Sequence, residues 1–182
     1  APNRKITGGK VMSSSTRKQT SPFAKMLRQA ANSAGNSKTK LGDLYTASGI
    51  PKKYHFATLE TDWSQTYSPS GTLTGVAKKR SEAIFNFTKS YILALDNIVA
   101  GDGLKVRFKD SVQMVSDMLL DGTKSSGKTI LLSIIGQAAM NRGHSVKFVE
   151  WAEYLDRFMT FEQRDANEQF FQDCLDVDFL IF

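Results

Sequence analysis

From Asp121 the chain reads Asp121-Gly122-Thr123-Lys124-Ser125-Ser126-Gly127-Lys128-Thr129, which satisfies the phosphate-loop pattern G-x-x-x-x-G-K-[ST]. The pattern has a mechanical basis. Gly122 and Gly127 free the backbone to curl, so that amides from Gly122 to Thr129, with Thr123, Lys124, Ser125 and Ser126 between, can converge on a polyphosphate. Lys128 brings an ammonium group to the β- and γ-phosphates, and the Thr129 hydroxyl is the candidate ligand for Mg²⁺. A helix starting here aims the positive end of its dipole at the same anion. ATP with Mg²⁺ is the cofactor this chemistry implies. The plain alternative is a glycine-bearing turn that binds nothing.

Such a loop has to be carried by a strand and a helix. Val115-Ser116-Asp117-Met118-Leu119-Leu120 predicts a short apolar strand before it, and Ile130 to Met140 predicts a long apolar helix stopped at Asn141-Arg142-Gly143. Downstream, Ser145 to Glu150 predicts a second strand. Trp151 to Met159 predicts a helix turning Ala152, Leu155, Phe158 and Met159 toward the sheet. A third helix, Arg164 to Cys174, precedes Val177 to Phe182, an apolar run of buried parallel-strand type. Strands alternating with helices beyond a phosphate loop imply an α/β fold of P-loop NTPase type, a parallel sheet sandwiched by helices with right-handed crossovers. The acids that hold Mg²⁺ and orient water in such ATPases are not found up to Phe182, so catalytic residues are expected after it.

Upstream, residues 1–40 are rich in Ser, Thr, Asn, Gly and Lys, a composition that predicts a mostly disordered arm. Within it Phe23, Met26, Leu27, Ala30 and Ala31 predict one short amphipathic helix, about Pro22 to Asn32, with Ser21 as its cap. Residues 41–182 then form the nucleotide domain. Pro51 holds Ile50 extended in Ser48-Gly49-Ile50-Pro51-Lys52-Lys53-Tyr54, and Tyr45, Tyr54 and Phe56 are expected to pack on the domain. Residues 61–79 predict a loop. Arg80 to Val99 predicts an amphipathic helix with Ile84, Phe87, Tyr91, Leu95 and Ile98 on one face, ended at Gly101-Asp102-Gly103. Leu104 to Val112 predicts an extra strand or edge segment.

Composition narrows the classes. The chain has 182 residues with 41% hydrophobic content, and no apolar run approaches the roughly eighteen residues of a membrane span. Ala1-Pro2-Asn3-Arg4-Lys5 lacks the apolar core of a secretory signal, and a single cysteine, Cys174, excludes an internal disulfide and a multi-cysteine zinc site. A cytoplasmic protein with no membrane partner is expected, with Cys174 as a small core residue and His55 as a packing histidine. The charge is uneven: residues 1–53 carry eleven Lys or Arg against one acid, and residues 54–182 carry thirteen against seventeen. Such an arm suits a polyanion or an acidic protein surface, although a solvated tail has the same composition.

Three stretches together resemble the DnaC/DnaI-type helicase loaders and their IstB-like relatives among the AAA+ ATPases. They are Ser48 to Tyr54, similar to the family's S-G-I-P-x-[RK]-[YF] segment, the phosphate loop, and Arg142-Gly143-His144-Ser145-Val146-Lys147-Phe148-Val149 followed by Tyr154-Leu155 and Val177 to Ile181. Thr123 stands where that family commonly has proline, and the single cysteine excludes the amino-terminal zinc module that some members carry. The resemblance implies an AAA+-like ATPase that loads a ring-shaped replicative helicase onto single-stranded DNA during replication. It also implies copies that associate through the ATPase domain, and helix 22–32 as the helicase-docking element. The alternative is an IstB- or TnsC-like ATPase regulating a transposase on duplex DNA. A small-molecule kinase would use the same loop, but Arg142, Arg157 and Arg164 are not spaced as a lid.

Overall fold

The computed structural model describes residues 38–63, 75–108, 111–122, 124–160 and 164–182. Most of the basic arm, including the helix expected at 22–32, and Thr123 of the phosphate loop lie outside the described residues. Helix α1 (Lys38–Ala47) leads through a short 3-10 turn (Lys52–Tyr54) and one turn of π-helix (Leu59–Trp63) to α2 (Gly75–Leu93) and α3 (Leu95–Ala100). Strands β1 (Leu104–Phe108) and β2 (Ser111–Val115) follow, then α4 (Lys128–Asn141), β3 (Val146–Phe148), α5 (Trp151–Met159), α6 (Arg164–Asp176) and β4 (Phe179–Ile181).

The structure is built around α4. Its apolar run buries Ile130, Leu131, Ile134, Ile135, Ala139 and Met140, and each large side chain removed from water contributes about 1.5–3 kcal/mol. The helix stops where its sequence turns polar. Arg142 N donates to Ala139 O (3.1 Å), and Gly143 N to Met140 O (2.9 Å), closing the last turn. On one side of α4, Ile135, Ala139 and Met140 meet Leu44 and Tyr45 of α1, Tyr91 of α2, and Val146 and Ile181 of the parallel strands. Nearer its start, Ile130, Leu131 and Ile134 form a second cluster with Leu59, against which Tyr54, Ala57 and Leu120 pack.

The segment 48–56 is stitched to this core by specific bonds. Phe148 N donates to Ser48 O (2.7 Å), closing the outer edge of β3. The Gln137 side chain, on α4, accepts from Phe56 N (2.6 Å) and donates to Tyr54 O (2.7 Å). Tyr45, Tyr54 and Phe56 thus pack as the sequence leads one to expect, the Phe56 ring edge-on to Tyr45 at 5.4 Å although the residue remains 43% exposed.

The extended parallel sheet expected of a P-loop NTPase is contradicted. The described residues contain two separate two-stranded sheets: β1 and β2 pair antiparallel, from Leu104 opposite Val115 to Phe108 opposite Ser111, and only β3 and β4 pair in parallel, Val146 opposite Phe179 and Phe148 opposite Ile181. The physical reason lies in residues 116–120. They were expected as the strand entering the phosphate loop, but the strand ends at Val115 because its partner is the preceding hairpin arm. Ser116 to Leu120 finds no ladder, and a cavity of about 470 Å³ separates it from Phe179 to Phe182. Leu119, in the middle of that run, is 92% exposed.

Two smaller corrections concern helices. The helix expected over 80–99 starts earlier, at Gly75, and breaks at Ala94, so part of the expected 61–79 loop is helical and Ile84 lies exposed. Helix α5 has the expected bounds, but it buries none of its residues: Ala152, Leu155, Phe158 and Met159 do not enter the core. Instead α6 covers the β3–β4 face opposite α4, where Lys147 Nζ lies 3.6 Å from Asp173 Oδ2 and 4.6 Å from the centre of the Phe170 ring. Alternation along β3 explains this, since Val146 and Phe148 point to α4 and Lys147 points away.

Candidate phosphate-binding loop

The loop hangs between the unpaired run 116–120 and the amino end of α4. Gly127 is the residue before the helix, in the left-handed region at φ 88°, and no side chain caps the helix from that position. A glycine is needed there because a Cβ disfavours this conformation. Ser125 shares the left-handed region, at φ 64°. Alternation of right- and left-handed residues curls the chain so that amides face inward, the concavity that binds anions. The first amides of any α-helix lack intrahelical acceptors, and the 14 residues of α4 align their peptide dipoles behind them.

Lys128 folds back across this curl. Its Nζ donates to Gly122 O (2.8 Å) and to Ser126 Oγ (3.3 Å), linking the two ends of the loop through one ammonium group. At the entrance the Asp121 carboxylate accepts from Gly122 N (2.7 Å). The pattern of glycines gave no warning of this contact, which places a negative charge beside a loop otherwise suited to an anion. Lys124, Ser125, Ser126 and Thr129 are exposed, Gly127 is buried, and Ser133 Oγ donates to Thr129 O (2.8 Å). Gly122, Lys124, Ser125, Ser126, Gly127, Lys128 and Thr129 therefore do come together in one loop; Thr123 lies outside the described residues.

The residues present fit a triphosphate. A left-handed glycine, a helix start without a side-chain cap and a lysine folded across the loop form a cradle of the kind that phosphate requires. For Mg²⁺ the loop offers the exposed Thr129 hydroxyl. Among the described residues no cluster of three or more His, Cys, Asp or Glu side chains is placed to hold a metal, so a metal here would depend on phosphate oxygens and water for its remaining ligands.

Other titratable candidates have structural partners. Cys174 is buried, and burial is the largest cause pushing its thiol upward, away from the reactive thiolate. His55 Nε2 lies 2.9 Å from Ile50 O, and its ring meets Tyr45 edge-on. His144 Nε2 lies 2.6 Å from Asp96 Oδ1, tying the end of α4 to α3. The Asp178 carboxylate accepts from both Ser145 N (2.8 Å) and Ser145 Oγ (2.9 Å), a clamp that holds the start of β4 beside β3.

No protein-family model, curated protein or solved structure matches the chain. Among the described residues no helix is long and apolar enough to cross a membrane.

Proposed function

We propose that this chain binds a nucleoside triphosphate, ATP with Mg²⁺, on the loop from Gly122 to Thr129. The observation that carries the reading is the uncapped start of α4 behind a left-handed Gly127, with the Lys128 ammonium folded over the same curl. In this reading the amides of the loop and of the first turn of α4 hold the phosphate oxygens, and Lys128 leaves Gly122 O and Ser126 Oγ for the β- and γ-phosphates. Bound Mg²⁺ would neutralise phosphate charge, and Thr129 is the residue placed to ligate it. The Asp121 carboxylate either releases Gly122 N or repels the incoming anion. Titration with a fluorescent ATP analogue tests this: Lys128→Ala should abolish binding while the far-ultraviolet circular dichroism and melting curve stay as in the wild type. Unchanged affinity in that variant removes the assignment.

Loading of a replicative helicase onto single-stranded DNA is the use to which we assign this binding. It is supported by the sequence resemblance in residues 48–54, 121–129 and 142–149, and by the basic arm. In this reading ATP hydrolysis belongs to the protein's cycle, and nucleotide binding shifts it between a gripping and a released state. Affinity capture with and without residues 1–40 separates the choices. Recovery of a replicative helicase that depends on the arm supports the reading, and recovery of a transposase supports the IstB-like alternative. Contact of the arm with DNA phosphates is tested by salt: deletion of residues 1–40 should flatten the dependence of single-strand affinity on salt concentration.

A further inference from the structure

Helix α5 places Trp151, Tyr154, Leu155, Phe158 and Met159 at i, i+3, i+4, i+7 and i+8, the stripe with which a helix packs on a core, yet no residue of α5 is buried. Trp151 is 55% exposed, Phe158 62% and Met159 69%. The face continues into α6 through Phe171, whose ring stands edge-on to Tyr154 and Phe158, and to the residue after β4 through the Phe182 ring. Its rings are already arranged. Trp151 stacks on Tyr154 with centroids 5.5 Å apart, and Phe182 stands edge-on to both, at 5.4 and 5.0 Å. Rings fixed in this way have little conformational freedom left to lose on contact. Exposed acids lie on these two helices and at the entry to α5, Glu150, Glu153, Asp156 and Glu168, against Arg157 on α5. A contiguous apolar face within a charged rim marks an interaction site.

The complement of that face is found in the same chain. Phe23, Met26, Leu27, Ala30 and Ala31 repeat the i, i+3, i+4, i+7, i+8 spacing, with Lys25 and Arg28 between them, and no acid occurs before Asp43. We propose that residues 22–32 of one copy dock on the α5–α6 face of a second copy, apolar stripe on apolar stripe, with the cations against the acidic rim. Geometry favours the second copy over the same molecule. Helix α1, into which the segment leads, lies on the α4 side of the β3–β4 pair, where Leu41 and Tyr45 line a cavity with Ile92 and Ala138. Helix α6, with α5 beside it, covers the opposite face through Lys147 and Asp173. The stretch from Asn32 to Lys38 reaches only about 20 Å when fully extended. The resulting contact is head-to-tail: each copy offers a segment at one end and a face at the other. This inference stands on α5, α6 and the arm, is independent of nucleotide binding, and gives residues 22–32 a partner other than the helicase to which the resemblance assigns them.

Sedimentation equilibrium of the full chain tests it with two variants, Phe158→Asp in the face and the double change Met26→Asp with Leu27→Asp in the segment. The wild type is expected to self-associate reversibly, and each variant alone to associate at least about tenfold more weakly. Raising NaCl from about 0.05 to 0.5 M should weaken the wild-type contact, since cations face acids across it. The decisive sample is the equimolar mixture: the face variant still supplies a segment and the segment variant still supplies a face, so one-to-one dimers should reappear. Phe158 is exposed, so its variant should melt like the wild type. A wild type that stays monomeric at about 100 µM leaves the face to another occupant and overturns the proposal. Variants that associate as the wild type does, or a mixture that stays monomeric while the wild type associates, overturn it as well.

Discussion

Lys128 and Asp121 set the electrostatics of the loop from its two ends. Lys128 donates to a carbonyl and a hydroxyl, whereas the Asp121 carboxylate would add a like charge to that of a bound phosphate. Asp121→Asn should therefore bind the ATP analogue about threefold more tightly, read in the same titration in which Lys128→Ala loses binding; weaker binding by Asp121→Asn would show that the carboxylate organises the loop. At Gly49 the backbone sits at φ 84°, and an added Cβ would collide with Phe148 O. Gly49→Ala should cost about 3 kcal/mol in urea denaturation, and a cost near zero would mean that Ser48 and Phe148 can part freely. Burial raises the Tyr45 and Tyr91 phenols above their ordinary 10.0 and the Cys174 thiol above 9.0. The unfolded chain therefore gives up these protons first. Stability is held in full below the ordinary values and lost as pH rises past them, so the denaturation midpoint should fall between neutral pH and about pH 10.5.

Elements were legible in the sequence where local pattern and tertiary partner agree. The apolar run from Ile130, closed by Asn141-Arg142-Gly143, gives α4, and Trp151 to Met159 gives the bounds of α5, because helix period and stop signals are local. The burial of α5 was not legible: an apolar stripe declares that a helix seeks a partner without saying which. Residues 116–120 failed for the converse reason. Their composition suits a strand, but a strand exists only where another backbone pairs with it, and Ser111 to Val115 pairs with β1 instead. Gln137 was the missed signal in α4, a buried polar residue on an apolar face that binds Tyr54 and Phe56. The Asp178 clamp on Ser145 was equally silent, since it joins residues 33 positions apart. Asp178→Ala should cost about 2 kcal/mol by leaving the Ser145 amide without its acceptor, measured by the same denaturation.

At the scale of the whole molecule, charge and fold divide the labour. The cationic arm precedes a body that is mildly acidic, with the acids concentrated in residues 150–178, on and around the two helices that carry the exposed aromatic face. The loop lies at the other end of the chemistry, at the start of the helix around which the core is assembled. A ligand bound at Lys128 would sit at the start of α4, whose side chains contact α1, α2 and both parallel strands. The turn at Gly122 to Gly127 and the helix start at Lys128 were readable because both are local signals, whereas the sheet was not, because it depends on pairings that no short motif encodes. The most direct measurement is a backbone amide NMR titration of the full chain with Mg²⁺-ATP, in the wild type and in Lys128→Ala. Saturable shifts centred on Gly122 to Thr129 in the wild type, absent in the variant, are the expected result. Shifts elsewhere, or none at millimolar nucleotide, would contradict phosphate binding by this loop.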